Sequence, residues 1–191
     1  MSMSIPDQPL VGAGDVTRRF RALGIADFAG AARHVRKLPY GRTASRTDVT
    51  LVLTEGRGTC TTKHALLAAL AAEQGIDVAL TLGVYEMTER NTPGVGRVLE
   101  RHGLAAIPEA HCYLTHAGER IDVTRDVQAA APIETFLHEE TIRVDQIGTY
   151  KIDLHRRVLA DWIVRTPAVH GRSLDDVWRI REECIAALSV A

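Results

Sequence analysis

The sequence predicts an α+β fold in which one buried helix packs on an antiparallel sheet, with further helices at both ends. Three observations predict it. Ala65–Ala72 is apolar almost without interruption, so the helix that contains it is expected to be covered on every side. Ile76–Tyr85 alternates with a period of two, which is strand patterning. Ala110–Thr124 then reads as two strands folded about Ala117-Gly118, a natural hairpin turn.

The 191 residues suit one domain, 1–191, with a motif-bearing core over about 52–124, N-terminal helices over 15–53 and C-terminal helices over 150–188. A 46% hydrophobic and 25% charged composition is that of a globular chain. A net charge of −1 offers no field for nucleic acid, and no stretch has the length and apolarity to span a bilayer. Arginine is dense early (Arg18, Arg19, Arg21, Arg33, Arg36, Arg42, Arg46), which reads as solvated helix faces. Three scattered cysteines make no disulfide framework, and Met1–Asp7 has neither a basic start nor an apolar run. A reducing, cytoplasmic setting is the expectation.

Taken in order, Asp15 is placed to cap a helix to about Leu23, stopped by Gly24, and Asp27 caps another over Phe28–Lys37. His34 on that helix reads as a surface or satisfied histidine. Thr47 or Asp48 caps a short helix through Leu53. Gly56 and Gly58 bracket a turn, Thr59 is the N-cap of the long helix, and Gln74-Gly75 ends it. After the strand Ile76–Tyr85, the segment 86–108 contains Pro93, Gly94, Gly96 and Gly103, with a brief helical patch near Val95–His102. A connection this long reads as a lid. Pro132–Ile142 fits helix and strand equally. Tyr150–Val164 has helical spacing, and Ser173 with Asp176 forms a capping box for a last helix to Leu188. Its inner stripe is Val177, Ile180, Cys184 and Leu188, so Cys184 reads as a core thiol.

Cys60 falls in the first turn of the long helix. There the unpaired N–H groups and the positive end of the macrodipole favour thiolate over thiol. A histidine to accept its proton is offered by the strand Ala110–His116. His111, Tyr113 and Thr115 face one way and Cys112, Leu114 and His116 the other. With a two-residue turn, Thr124 stands opposite His111 and Asp122 opposite Tyr113, so His111 and Asp122 become diagonal neighbours on one face. A slip of one residue would separate them.

These motifs, in this order, resemble the transglutaminase-like superfamily of papain-fold enzymes. The matching residues are Gly58 two before Cys60, Leu66-Leu67, the helix-ending Gly75-Ile76, Tyr113 two after His111, and Asp122-Val-Thr124. The resemblance covers about Val52–Thr124. It departs from the pattern at Lys63 and His64, where an aromatic and a small residue are usual, and in its short histidine-to-aspartate interval. His64 lies one turn from Cys60, placed to face the site, to hydrogen-bond elsewhere or to reach solvent.

The resemblance implies a papain/transglutaminase-like core and acyl transfer or hydrolysis at a peptide, amide or related carbonyl through a thioester. Cys60 would be the nucleophile, His111 the acid/base and Asp122 its orienter. Tyr40, His64 and Tyr113 are candidate oxyanion or substrate contacts. The partner is then a small-molecule or peptide substrate, with no cofactor and no metal. One alternative is a metal site using Cys60, His64 and His111, although no Cys-x-x-Cys or His-Glu-x-x-His pairing supports it. Another is a non-catalytic binding module on the same fold.

Overall fold

A helix without a polar face has to be covered, and α4 (Cys60–Gln74) is buried from Cys60 to Ala68 and again at Leu70 and Ala71. Ala72 and Glu73 in its last turn are exposed, contrary to expectation for Ala72. The computed structural model describes residues 5–125 and 130–188. Leu66, Leu67 and Leu70 are wholly buried, which contributes about 1.5–3 kcal/mol each. Around α4 lie α1 (Asp15–Ala22), α2 (Phe28–Lys37), α3 (Leu51–Thr54) and a 3-10 turn at Val144–Ile147. Its C-terminus closes as expected. Gly75 takes φ +65°, the Ile76 N–H reaches the Ala71 carbonyl at 2.9 Å, and the Gly75 N–H reaches Ala72 at 3.3 Å. This is the Schellman arrangement.

The cap of α1 differs from expectation. Asp15 is already helical, Gly14 is the N-cap, and the free N–H groups of Val16 and Thr17 go to the Glu73 carboxylate on α4, at 3.0 and 2.8 Å. A side chain at Gly14 would collide with that carboxylate, so glycine is what lets a distant residue cap the helix. Asp15 instead pairs with Arg18 and Arg19. Asp27 caps α2 as predicted, accepting the Gly30 N–H. The short helix α3 starts later than predicted, at Leu51, with Thr50 as its N-cap. The Asp48 carboxylate accepts the N–H and hydroxyl of Thr50.

Strands β1 (Ala79–Met87), β2 (Ile107–His116), β3 (Glu119–Ile121) and β4 (His138–Ile142) form one antiparallel sheet in the order β3-β2-β1-β4. The strand expected at Ile76 begins three residues later, because Ile76–Val78 still belongs to the helix exit. The strand between β2 and β4, β1, is buried on both faces over most of its length, which a period of two does not foretell. The hairpin turn has both central residues at positive φ, Ala117 at 50° and Gly118 at 81°. It sets the register Leu114↔Ile121, Thr115↔Arg120 and His116↔Glu119, the two-residue alignment expected. Within Pro132–Ile142, residues 138–142 form strand.

The described residues group into two compact units, one of residues 5–82, 112–125 and 140–148, the other of 83–111, 130–139 and 149–188. In the second, α5 (Gly96–Arg101) and α6 (Thr149–Arg165) pack on α7 (Leu174–Ala187). Val177, Ile180, Cys184 and Leu188 are buried, and Ser173 and Asp176 cap each other's N–H at 3.1 and 3.2 Å. The segment 86–108 is built into this unit. Glu89 accepts the Gly94 and Gly96 N–H groups, Thr92 meets the Tyr85 hydroxyl at 2.7 Å, and Val95, Val98 and Leu99 are buried. No helix among the described residues is long and apolar enough to cross a membrane.

The second unit also buries charge. The Glu109 carboxylate on β2 receives Arg181 of α7 through two bonds, 2.5 Å from Nε and 2.6 Å from Nη2. Beside them, Lys151 is buried and His155 Nε2 donates to the Pro108 carbonyl at 2.9 Å. Burial opposes ionisation of Glu109, but Arg181 outweighs it and holds the carboxyl at about 2. Burial lowers His155 to about 4. Both folded values lie below the unfolded ones, so each group's contribution is present above its unfolded pKa and is lost as pH falls. For His155 the window runs from about 6.5 down to about 4, and for Glu109 from about 4.5 to about 2. The thermal midpoint should therefore fall on acidification from near pH 6.5, and His155→Gln should flatten that first limb. Arg181→Met, which leaves Glu109 buried and unpaired, should cost about 3–5 kcal/mol in denaturant unfolding.

Candidate active site

The approach to Cys60 is set by backbone pairing. Tyr40 bridges Gly58 in parallel, with the Gly58 N–H on the Pro39 carbonyl at 3.1 Å and the Gly41 N–H on Gly58 at 3.3 Å. Gly56 supplies a positive φ of 65°. Gly58 is required for a different reason. A Cβ there would stand 2.9 Å from Lys63 Cγ, 3.0 Å from Thr62 Oγ1 and 3.2 Å from Val52 Cγ2. The loop can lie this close to the helix start because residue 58 has no side chain. Thr62 then accepts the Thr59 N–H at 3.0 Å, closing the first turn. Cys60 occupies the first helical position, 5% exposed, with its Sγ 3.8 Å from the Thr61 hydroxyl.

One turn further, two residues of α4 reach the segment after β3. His64 is fully buried. Its Nδ1 lies 2.7 Å from the Cys60 carbonyl, and its Nε2 accepts the Val123 N–H at 2.8 Å. The Nδ1–H tautomer satisfies both contacts. Lys63, also fully buried, donates from Nζ to the carbonyls of Leu38 at 2.6 Å and Thr124 at 2.8 Å. Between these anchors Asp122 Oδ1 accepts the Thr124 N–H at 2.8 Å and stands 3.5 Å from His64 Nε2. This capture explains why β3 stops at Ile121 when the pattern predicts strand to Thr124. The Val123 N–H and the Thr124 carbonyl are spent on α4, and the Thr124 N–H on Asp122, rather than on the sheet. Asp122 consequently lies beyond the strand end, in the same unit as Cys60.

The other sequence candidates are placed as follows. His111 belongs to β2 and to the second unit, 7% exposed, with its ring edge-on to Tyr85 at 6.0 Å between centroids. Tyr85 in turn meets Phe136 edge-on at 6.4 Å, and Phe136 lies against Gly83 where a Cβ would strike its ring. Tyr40 is half-buried, with the Arg125 guanidinium 5.8 Å from its ring centre. Tyr113, a candidate substrate contact, is instead a core residue. It is fully buried with Arg120 stacked 4.7 Å from its ring centre. Of the three courses open to His64, the structure takes hydrogen bonding to the main chain, which withdraws it as a substrate contact. Both its nitrogens are engaged, so it has no lone pair free for a metal. Among the described residues no group of three His, Cys, Asp or Glu side chains is placed to hold a metal ion.

Sequence reasoning missed Lys63, Tyr85 and Phe136. For Lys63 a signal existed, since it is the one Lys or Arg on a helix whose middle turns are apolar on every side. For Tyr85 and Phe136 there was none. Cys112 is wholly buried on β2, and Cys184 is a core thiol that burial pushes up to about 11.

Comparison with protein families, with curated proteins and with solved structures returned no match.

The capture of residues 122–124 has a direct readout. His64→Ala removes the acceptor of a buried N–H and opens a cavity, at a cost of about 2–4 kcal/mol. The Val123 amide should lose hydrogen-exchange protection beyond that global change. Protection at Val123 that falls only in step with the global loss would show that His64 does not hold the segment.

Proposed function

We propose that the protein is a transglutaminase-like cysteine enzyme. It acts on a peptide, amide or related carbonyl through a thioester on Cys60. The observation that carries this reading is the position of Cys60 at the first residue of α4, with the Asp122 segment docked on the same helix one turn away. The order of Cys60, His111 and Asp122 along the chain, and the resemblance of the surrounding motifs, support it further.

In the proposed reaction His111 takes the Cys60 proton as sulfur attacks the carbonyl carbon. The Cys60 main-chain N–H helps hold the oxyanion. The tetrahedral intermediate then collapses, His111 returns the proton to the leaving group, and an acyl thioester remains on Cys60. Water or an amine completes the cycle by the same steps in reverse order. Asp122 fixes the imidazole tautomer and supports the imidazolium. The choice between hydrolysis and transfer rests on how water is admitted to the thioester.

Acid-quenched intact-mass spectra of the protein with a panel of amide, ester and thioester donors test this. An acyl adduct should appear on Cys60 and be absent in Cys60→Ala. His111→Ala should slow acylation by about 10²-fold or more, the scale of general acid–base catalysis. Asp122→Asn should slow it less. Absence of an adduct from every donor, or acylation of His111→Ala at the wild-type rate, would remove the reading.

A further inference from the structure

Lys63 is the feature that the proposed chemistry leaves unused. Its side chain is wholly buried, which for lysine is costly unless opposing charge or dipoles compensate. Two main-chain carbonyls, Leu38 and Thr124, fix its Nζ at 2.6 and 2.8 Å. Its stem lies against the space kept open by Gly58. Three residues after Cys60, it shares that residue's face of α4. The charged and titratable groups that act on it are Asp122 and Cys60, which favour its ammonium, and Arg125, which opposes it. His64, its neighbour on the helix, faces the same captured segment. Burial lowers the ammonium to about 8, so the side chain is still largely cationic near neutrality.

We propose that Lys63 is a positioning residue for Cys60. Its ammonium, held between the Leu38 and Thr124 carbonyls, supplies the positive charge that stabilises the Cys60 thiolate and ties the ionised Asp122 segment to the helix start. This rests on Cys60 being the nucleophile of the reading above, but its test needs no substrate. The Cys60 thiolate then has a counter-charge besides the imidazolium of His111. The ammonium lowers the cost of moving the Cys60 proton to His111, which carries it to the leaving group as proposed above.

Alkylation of Cys60 by iodoacetamide, followed by peptide mass mapping across about pH 5 to 10 in the intact chain, reads this coupling. Lys63→Met should raise the midpoint of Cys60 labelling by about one pH unit and slow labelling at pH 6 about tenfold. Lys63→Arg keeps the charge and should hold the midpoint near wild type. An unchanged midpoint in folded Lys63→Met, or an equal shift in both variants, overturns the proposal. Should Lys63→Met not fold, reciprocity supplies a second measurement. The Lys63 titration, followed by NMR at its Cε, should move down by about one unit in Cys60→Ala, and an unmoved titration overturns the proposal equally. The two readings fail separately. A shifted midpoint without any thioester upholds the Lys63 coupling and removes acyl transfer, whereas a thioester with an unshifted midpoint does the reverse.

Discussion

Lys63 and His64 hold residues 122–124 by their main-chain groups, and the local geometry of the first unit depends on that capture. A backbone N–H or carbonyl leaving a sheet must find another partner or bear the cost of an unmade hydrogen bond. Here the partners are two adjacent side chains on the first turns of α4, which take Val123 N–H and Thr124 C=O. The hairpin is thus cut short at Ile121, and Asp122 is set in a tight turn closed on the Thr124 N–H. The same side chains tie the loop at Leu38 and the Cys60 carbonyl into the arrangement. Removing either would release a segment as well as a contact.

Each unit contains buried charge, handled in opposite ways. In the second, Glu109 meets Arg181 in a two-bond geometry that keeps both groups ionised. That pair joins β2, two residues from His111, to α7. In the first, the directly bonded partners of Lys63 are carbonyl dipoles instead of a carboxylate, and its pKa is correspondingly depressed. A paired ion stabilises a scaffold. A cation held by dipoles retains a field that nearby acidic groups experience, which is the property the proposed chemistry would use at Cys60.

The apolar run of Ala65–Ala72, the glycine stop at Gly75 and the Ser173–Asp176 box were legible because they are local. Capping and periodicity act over three to five residues, and the sequence states them outright. The hairpin register was legible for the same reason, since a two-residue turn leaves one alignment. By itself the sequence determined the α+β class, the helices α1, α2, α4, α6 and α7 nearly to the residue, the turn at Ala117-Gly118 and the place of Cys60 at a helix start. What it did not show depended on partners remote in the chain. Glu73 caps α1 from 56 and 57 residues away, and Lys63 reaches Thr124 across 61. Only the tertiary structure decided that β3 ends at Ile121, that Tyr113 is core, and that His64 serves the main chain. Each of these was a competition for hydrogen bonds or burial between segments far apart in sequence, and no local pattern records its outcome.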